Sequence, residues 1–232
     1  MQDVPRPSDE LRRAVAADLR PVRSLASPAR RMLVAALWVP LAIALVLEFL
    51  GRRVDAPVLG WPMIWGPLVL EAALGLVLVA LALAESVPAR APARGQSFAA
   101  LGAAVLAFVA QVLLTRGASP GVTVGNPLVT HGLNCFALEV VVGLPALLLV
   151  ALLVVRAAPL RAVRAGGLGG AGVGFLADGV YHLHCPITDL RHVLPWHGAA
   201  VLLLTLAGLA AGMAWERNQR RQMAERLALR SR

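Results

Sequence analysis

The chain has 232 residues, of which 58% are apolar and 15% charged, with a formal net charge of +9 at pH 7. Soluble domains average about 45–50% apolar and about 25% charged residues, so the apolar surplus excludes an ordinary soluble domain and points to a membrane. All 22 basic residues are arginine, which excludes Schiff-base, pyridoxal and P-loop chemistry, and two cysteines exclude a disulfide scaffold or a four-cysteine zinc module.

The first 31 residues are polar and are expected to form a cytoplasmic segment rather than a cleavable signal peptide. Ser8-Asp9-Glu10 predicts a helix start, with a serine cap and acids in the first turn. Leu11, Val15 and Leu19 follow at four-residue spacing and give a short apolar stripe, which Pro21 ends. A lone helix of this length is marginal in water, so a protein partner or the bilayer surface would have to stabilise it.

A membrane helix needs about 20 mostly apolar residues to cross roughly 30 Å of hydrocarbon. Six such stretches are predicted: Met32–Leu50, Met63–Leu83, Ser97–Thr115, Phe136–Val155, Arg164–Tyr181 and Val193–Trp215. The fifth is the weakest, being glycine-rich and carrying Asp178. The expected fold is therefore all-α: a six-helix integral membrane bundle over residues 32–215, followed by a basic cytoplasmic tail over 216–232. With the N-terminus inside, 18 arginines fall in cytoplasmic segments and 4 in outer loops. This positive-inside split puts both termini in the cytoplasm, where the basic surplus meets anionic membrane lipids rather than nucleic acid.

The same topology gathers the chemistry at the outer surface. His131, His182, His184, His192 and His197 all fall there, as do Cys135 and Cys185. The embedded acids Glu48, Glu71, Glu139 and Asp178 share this bias. Carboxylates are costly in lipid and usually face a bundle interior or a wet cavity. Cys135 and Glu139 are four apart and share a helix face, with His131 four further back. Any one of these groups could be inert at an interface; together they predict an outward-facing polar cavity with a sensing or binding role. An oxidising periplasm would permit a disulfide between the cysteines, while thiolate and imidazole ligands suit zinc, copper or cadmium.

Two motif matches carry no function. Gly167-Leu-Gly169-Gly170-Ala-Gly172 fits the dinucleotide fingerprint but has no preceding strand. Gly166, Gly170 and Gly174 instead form a small-residue face for close helix packing. Ser119 fits a nucleophile-elbow pattern, but Pro120 lacks the N–H that an oxyanion hole would use. No enzymatic constellation is expected.

Three stretches carry a family likeness: Ala17-Asp18-Leu19-Arg20-Pro21-Val22-Arg23, the cysteine at the mouth of the fourth crossing (Cys135), and His184-Cys185-Pro186 with Leu194-Pro195-Trp196-His197. On these the sequence resembles the six-helix bacterial membrane anti-sigma factors of the NrsF type. The resemblance implies an inner-membrane protein that holds an extracytoplasmic-function sigma factor through its N-terminal segment, here Leu11, Val15, Asp18, Leu19, Pro21 and Val22. It also implies release of that factor on a periplasmic signal, heavy metal or oxidative stress, sensed near Cys135 and Cys185. It implies no resident cofactor, only transient heavy-metal binding. The alternative is a small transporter or metal-handling protein that uses the same acids and histidines as a pathway.

Overall fold

The computed structural model describes residues 8–18, 25–87, 91–116, 130–157, 159 and 161–230. Among these residues the chain is helical and has no strand. The first helix, α1 (Asp9–Asp18), is capped as its sequence predicts: the Ser8 Oγ accepts the Leu11 N–H at 3.3 Å. Leu11 and Val15 on its stripe are each 54% exposed. Leu19, Pro21 and Val22 lie outside the described residues, as does the Asp18 side chain.

The first crossing is built from α2 (Pro28–Ala36) and α3 (Trp38–Phe49), separated at Leu37. Pro40 explains the break, since it has no N–H for the Ala36 carbonyl and its ring crowds that oxygen. Helix α4 (Ala56–Glu85) begins several residues before the apolar run and bends at Gly60, whose φ of 73° is left-handed backbone that suits glycine. Then follow α5 (Arg94–Arg116), α6 (Thr130–Val155), α7 (Ala162–Tyr181), α8 (Leu190–His192), a five-residue π turn (Val193–His197) and α9 (Gly198–Arg230).

Five of these segments are long and apolar enough to cross a membrane: Pro28–Phe49, Ala56–Glu85, Arg94–Thr115, His131–Val155 and Leu190–Leu229. The sequence predicts six, and α7 is the one that falls short. It has 20 residues, but seven are glycine and it carries Arg164 and Asp178. The physical reason is its place in the bundle. Every residue from Leu168 to Tyr181 is buried, and α7 contributes to all three apolar clusters of the core. A helix sheathed by other helices needs small residues for close approach, not large ones for lipid.

Its glycines are placed accordingly. A Cβ on Gly166 would meet the Gly208 carbonyl of α9, and one on Gly174 would lie 2.9 Å from the Val201 Cα. On another face, Gly172 packs against the Gly75 carbonyl of α4. The outer helices turn large side chains outward, among them Leu41, Val69, Leu106, Leu148 and Leu202. Such a surface is what a bilayer covers.

Candidate functional site

Parts of α4, α6, α7 and the π turn meet in a buried polar cluster, at the end of the bundle that the sequence places outermost. Helix α6 supplies Cys135 and Glu139, one turn apart on one face. The segment after α7 supplies Cys185, and α7 itself supplies Asp178. His192 and His197 come from either end of the π turn. Residues five apart on an α-helix diverge by about 140°. An i→i+5 turn draws them together, and Pro195 favours it by removing a donor from the α-type ladder. The two imidazoles stand edge-to-face with centroids 5.4 Å apart, and both are buried.

The Cys135 and Cys185 sulfurs are 3.8 Å apart and unbonded, and the Cys185 Sγ lies 3.5 Å from the His192 Nε2. One ligand atom from each of Cys135, Cys185, His192 and His197 falls within a 4.8 Å group. A second such group joins Glu139, Asp178 and His197. The His197 Nδ1 is 2.7 Å from the Asp178 carboxylate and 3.0 Å from the Glu139 Oε2, while its Nε2 is buried without a hydrogen-bond partner. Glu71 faces Asp178 from α4, and Gly179 gives it room, since a Cβ there would lie 3.3 Å from the Glu71 Oε2. Three buried carboxyl groups around one imidazole leave an electrostatic debt that protons or a cation must settle. Beside them a small cavity is lined by Gln111, Thr115, Asp178, His182, Cys185 and His197. Its free space of about 20 Å³ admits roughly one water-sized species.

The structure therefore brings together Cys135, Cys185, His197, Glu139, Glu71 and Asp178. It leaves His131, Glu48 and His184 outside and sets His182 at the edge, where it lines the small cavity with Asp178. His131 and Glu48 are exposed. The His184 Nδ1 contacts the Gly51 carbonyl at 3.1 Å, and its ring packs on Tyr181. His182 receives a hydrogen bond of 3.0 Å from Arg53, which forms a buried pair with Asp55 at 2.6 Å. Burial, and then the Arg53 charge, push the His182 imidazole down to about 4, so it is neutral and accepts. These two histidines tie the loop after α3 to the end of α7. The Cys135 sulfur beside it, together with burial, pushes the Cys185 thiol up.

The sequence counts His192 among the outer-surface histidines but gives no ground to pair it with His197, since residues five apart on an α-helix point about 140° apart. Sequence reasoning also passed over a second polar cluster at the opposite end of α4. There Glu85 is buried and lies 2.9 Å from the Arg164 Nε, and Arg164 donates to the Ser97 Oγ at 2.8 Å. Arg31, which the charge count places among lipid-facing arginines, is instead 2% exposed. It donates to the Ser86 Oγ at 2.9 Å and to the Leu153 carbonyl at 2.5 Å. The signal that could have marked this cluster is Glu85-Ser86 closing the second apolar run, opposite the arginines that flank it.

The family described as "Negative regulator of sigma F" (NrsF) matches residues 15–217. The chain is 33% identical over 216 residues to the protein named Anti-sigma-F factor NrsF of Caulobacter vibrioides (strain NA1000 / CB15N). That match covers 88% of this chain and 96% of the relative. No solved structure matches the chain. The family match begins on the exposed stripe of α1, takes in the bundle and the buried outer cluster, and ends within α9; the chain belongs to the NrsF family of negative regulators of sigma F.

Proposed function

We propose that the chain is an inner-membrane anti-sigma factor that holds an extracytoplasmic-function sigma factor at the cytoplasmic face and releases it when the outer cluster changes state. The observation that carries this is the family match, which joins the N-terminal stripe to the bundle in one unit. The exposed Leu11 and Val15 form the start of the partner surface, which continues through Asp18, Leu19, Pro21 and Val22. Helix α7 crosses with the other five segments as their buried core helix, which returns both termini to the cytoplasm and agrees with the arginine distribution. Residues 1–31 then face the partner, 32–215 the membrane, and 216–232 the cytoplasm as a basic tail beside anionic lipid.

The signal enters at Cys135 and Cys185, as metal binding or oxidation. Glu139 and Glu71 place α6 and α4 at that site, and the far ends of the same two helices hold Arg31 through Leu153 and Ser86. A displacement of α6 against α4 therefore reaches α2, which follows the N-terminal segment. A transport pathway is less well supported: between Glu71 and Glu85, α4 has no polar side chain.

The test is co-purification of the full-length chain with the sigma factor encoded beside it. Wild type retains the factor, Leu11→Asp with Val15→Asp loses it, and Cys135→Ser or Cys185→Ser retains it but alters release by the stimulus. Failure of wild type to retain any sigma factor would end this proposal.

A further inference from the structure

The outer cluster contains a thiol–imidazole quartet whose spacing matches one metal geometry. Bonds of about 2.3 Å to sulfur and about 2.0 Å to nitrogen at a tetrahedral centre separate two sulfurs by about 3.8 Å, and a sulfur from a nitrogen by about 3.5 Å. Cys135 and Cys185 stand 3.8 Å apart, and Cys185 and His192 stand 3.5 Å apart. We infer that Cys135, Cys185, His192 and His197 form a tetrahedral site for a zinc-like divalent cation, with Asp178 as the group that orients His197.

The orientation of His197 supports this independently of the distances. A metal-ligating histidine commonly donates its other ring N–H to a carboxylate, which fixes the tautomer and the ring plane. The Asp178 carboxylate, 2.7 Å from the His197 Nδ1, occupies that position. The lone pair is then on Nε2, which is buried and has no hydrogen-bond partner. Glu139, 3.0 Å from the same Nδ1, reinforces the alignment. His192 offers Nε2, the nitrogen that faces Cys185.

Charge also balances. A divalent ion that enters displaces one proton from each thiol, so two thiolates and two neutral imidazoles around M²⁺ make a neutral centre. Such a centre is tolerated in a dry bundle, where a lone cation is not. Cys135, which is only half-buried, gives the ion its way in. The quartet spans α6, the segment after α7 and the π turn, so binding would clamp three elements at once. This assignment deepens the anti-sigma proposal and rests on it for its purpose, though not for its geometry.

The experiment uses reduced full-length protein in detergent, titrated with cobalt(II) chloride. One equivalent is expected to bind with the intense visible bands of tetrahedral cobalt and a thiolate-to-cobalt charge-transfer band. Cys135→Ser, Cys185→Ser and His197→Ala are each expected to abolish that spectrum. Asp178→Asn is expected to keep the spectrum and weaken affinity by about 10–100-fold. His192→Cys, a variant that keeps four ligands, is expected to retain a tetrahedral site with stronger charge transfer. His131→Ala and His184→Ala are expected to bind like wild type. A spectrum unchanged in His197→Ala or unstrengthened in His192→Cys, octahedral cobalt, or no binding by reduced wild type would overturn the assignment. Retention of the sigma factor, scored on the same preparations, decides the anti-sigma proposal separately.

Discussion

Single residues divide here into those that contact the outer cluster and those that only brace it. His182 braces it, neutral beside Arg53 and held down to about 4 by burial and then by that charge. An unfolded imidazole titrates near 6.5, so the unfolded chain takes up the proton first as pH falls. The stability due to neutral His182 is therefore complete above about pH 6.5 and is lost progressively as pH falls towards about 4. Thermal unfolding in detergent should show a Tm that drops across this window, and His182→Gln should flatten the drop. At the other end, Arg31→Met leaves the Ser86 hydroxyl and the Leu153 carbonyl without their guanidinium donor. The expected cost is about 1–3 kcal/mol, read as a lower Tm with membrane insertion intact.

Helices carry a second layer of constraint, which is clearest in α7. Gly166, Gly170, Gly172 and Gly174 are there because neighbouring backbones occupy the space a side chain would take. Gly170→Ala would drive a methyl group onto the Leu204 carbonyl and to within 2.9 Å of the Thr205 Cα. Backbone cannot swing aside as a side chain can, so the expected destabilisation is about 1–3 kcal/mol or more. Gly102→Ala in α5 is the matched control, since nothing lies within 4 Å of the place its methyl group would take. It should be neutral or stabilising by up to about 1 kcal/mol through helix propensity alone. Comparing the two Tm values separates packing from propensity. In the same way, Pro195→Ala restores an α-type donor to the π turn and should let His192 rotate away from His197. The cobalt affinity should fall at least tenfold in that variant while insertion survives.

For the whole molecule, the decisive quantity is sidedness. The proposed function requires the sulfurs to face the periplasm while α1 faces the cytoplasm. A membrane-impermeant maleimide should label Cys135 in intact, reduced spheroplasts, because this residue is the half-buried one of the pair. Labelling that appears only after the bilayer is breached would reverse the topology and remove the sensing route. The two polar clusters are joined by α4, whose Glu71 and Glu85 are fourteen residues and so about 21 Å apart along the helix. The stretch of α4 from Glu71 to Glu85 is unbroken helix with a buried acid at each end, the kind of element that can pass a displacement along its length. With Arg31→Met, the stimulus should no longer change sigma-dependent reporter output, so the induction ratio should fall towards one.

The sequence by itself determined the helical, strongly apolar character, the approximate place of each helix (though not that α9 runs on past Trp215 to Arg230), the cap at Ser8 and the gathering of Cys135, Cys185, Glu139, Asp178 and His197 at one end. These follow from composition, local spacing and arginine placement, which act over short stretches of chain. It could not decide that α7 is a sheathed core helix, because a glycine run looks the same whether lipid or backbone surrounds it. Nor could it place His192, since a π turn changes which residues share a face and α-helical spacing hides that. Arg31 with Ser86 and Leu153, and Glu85 with Arg164, depend on contacts between distant segments, and those exist only once the helices have packed.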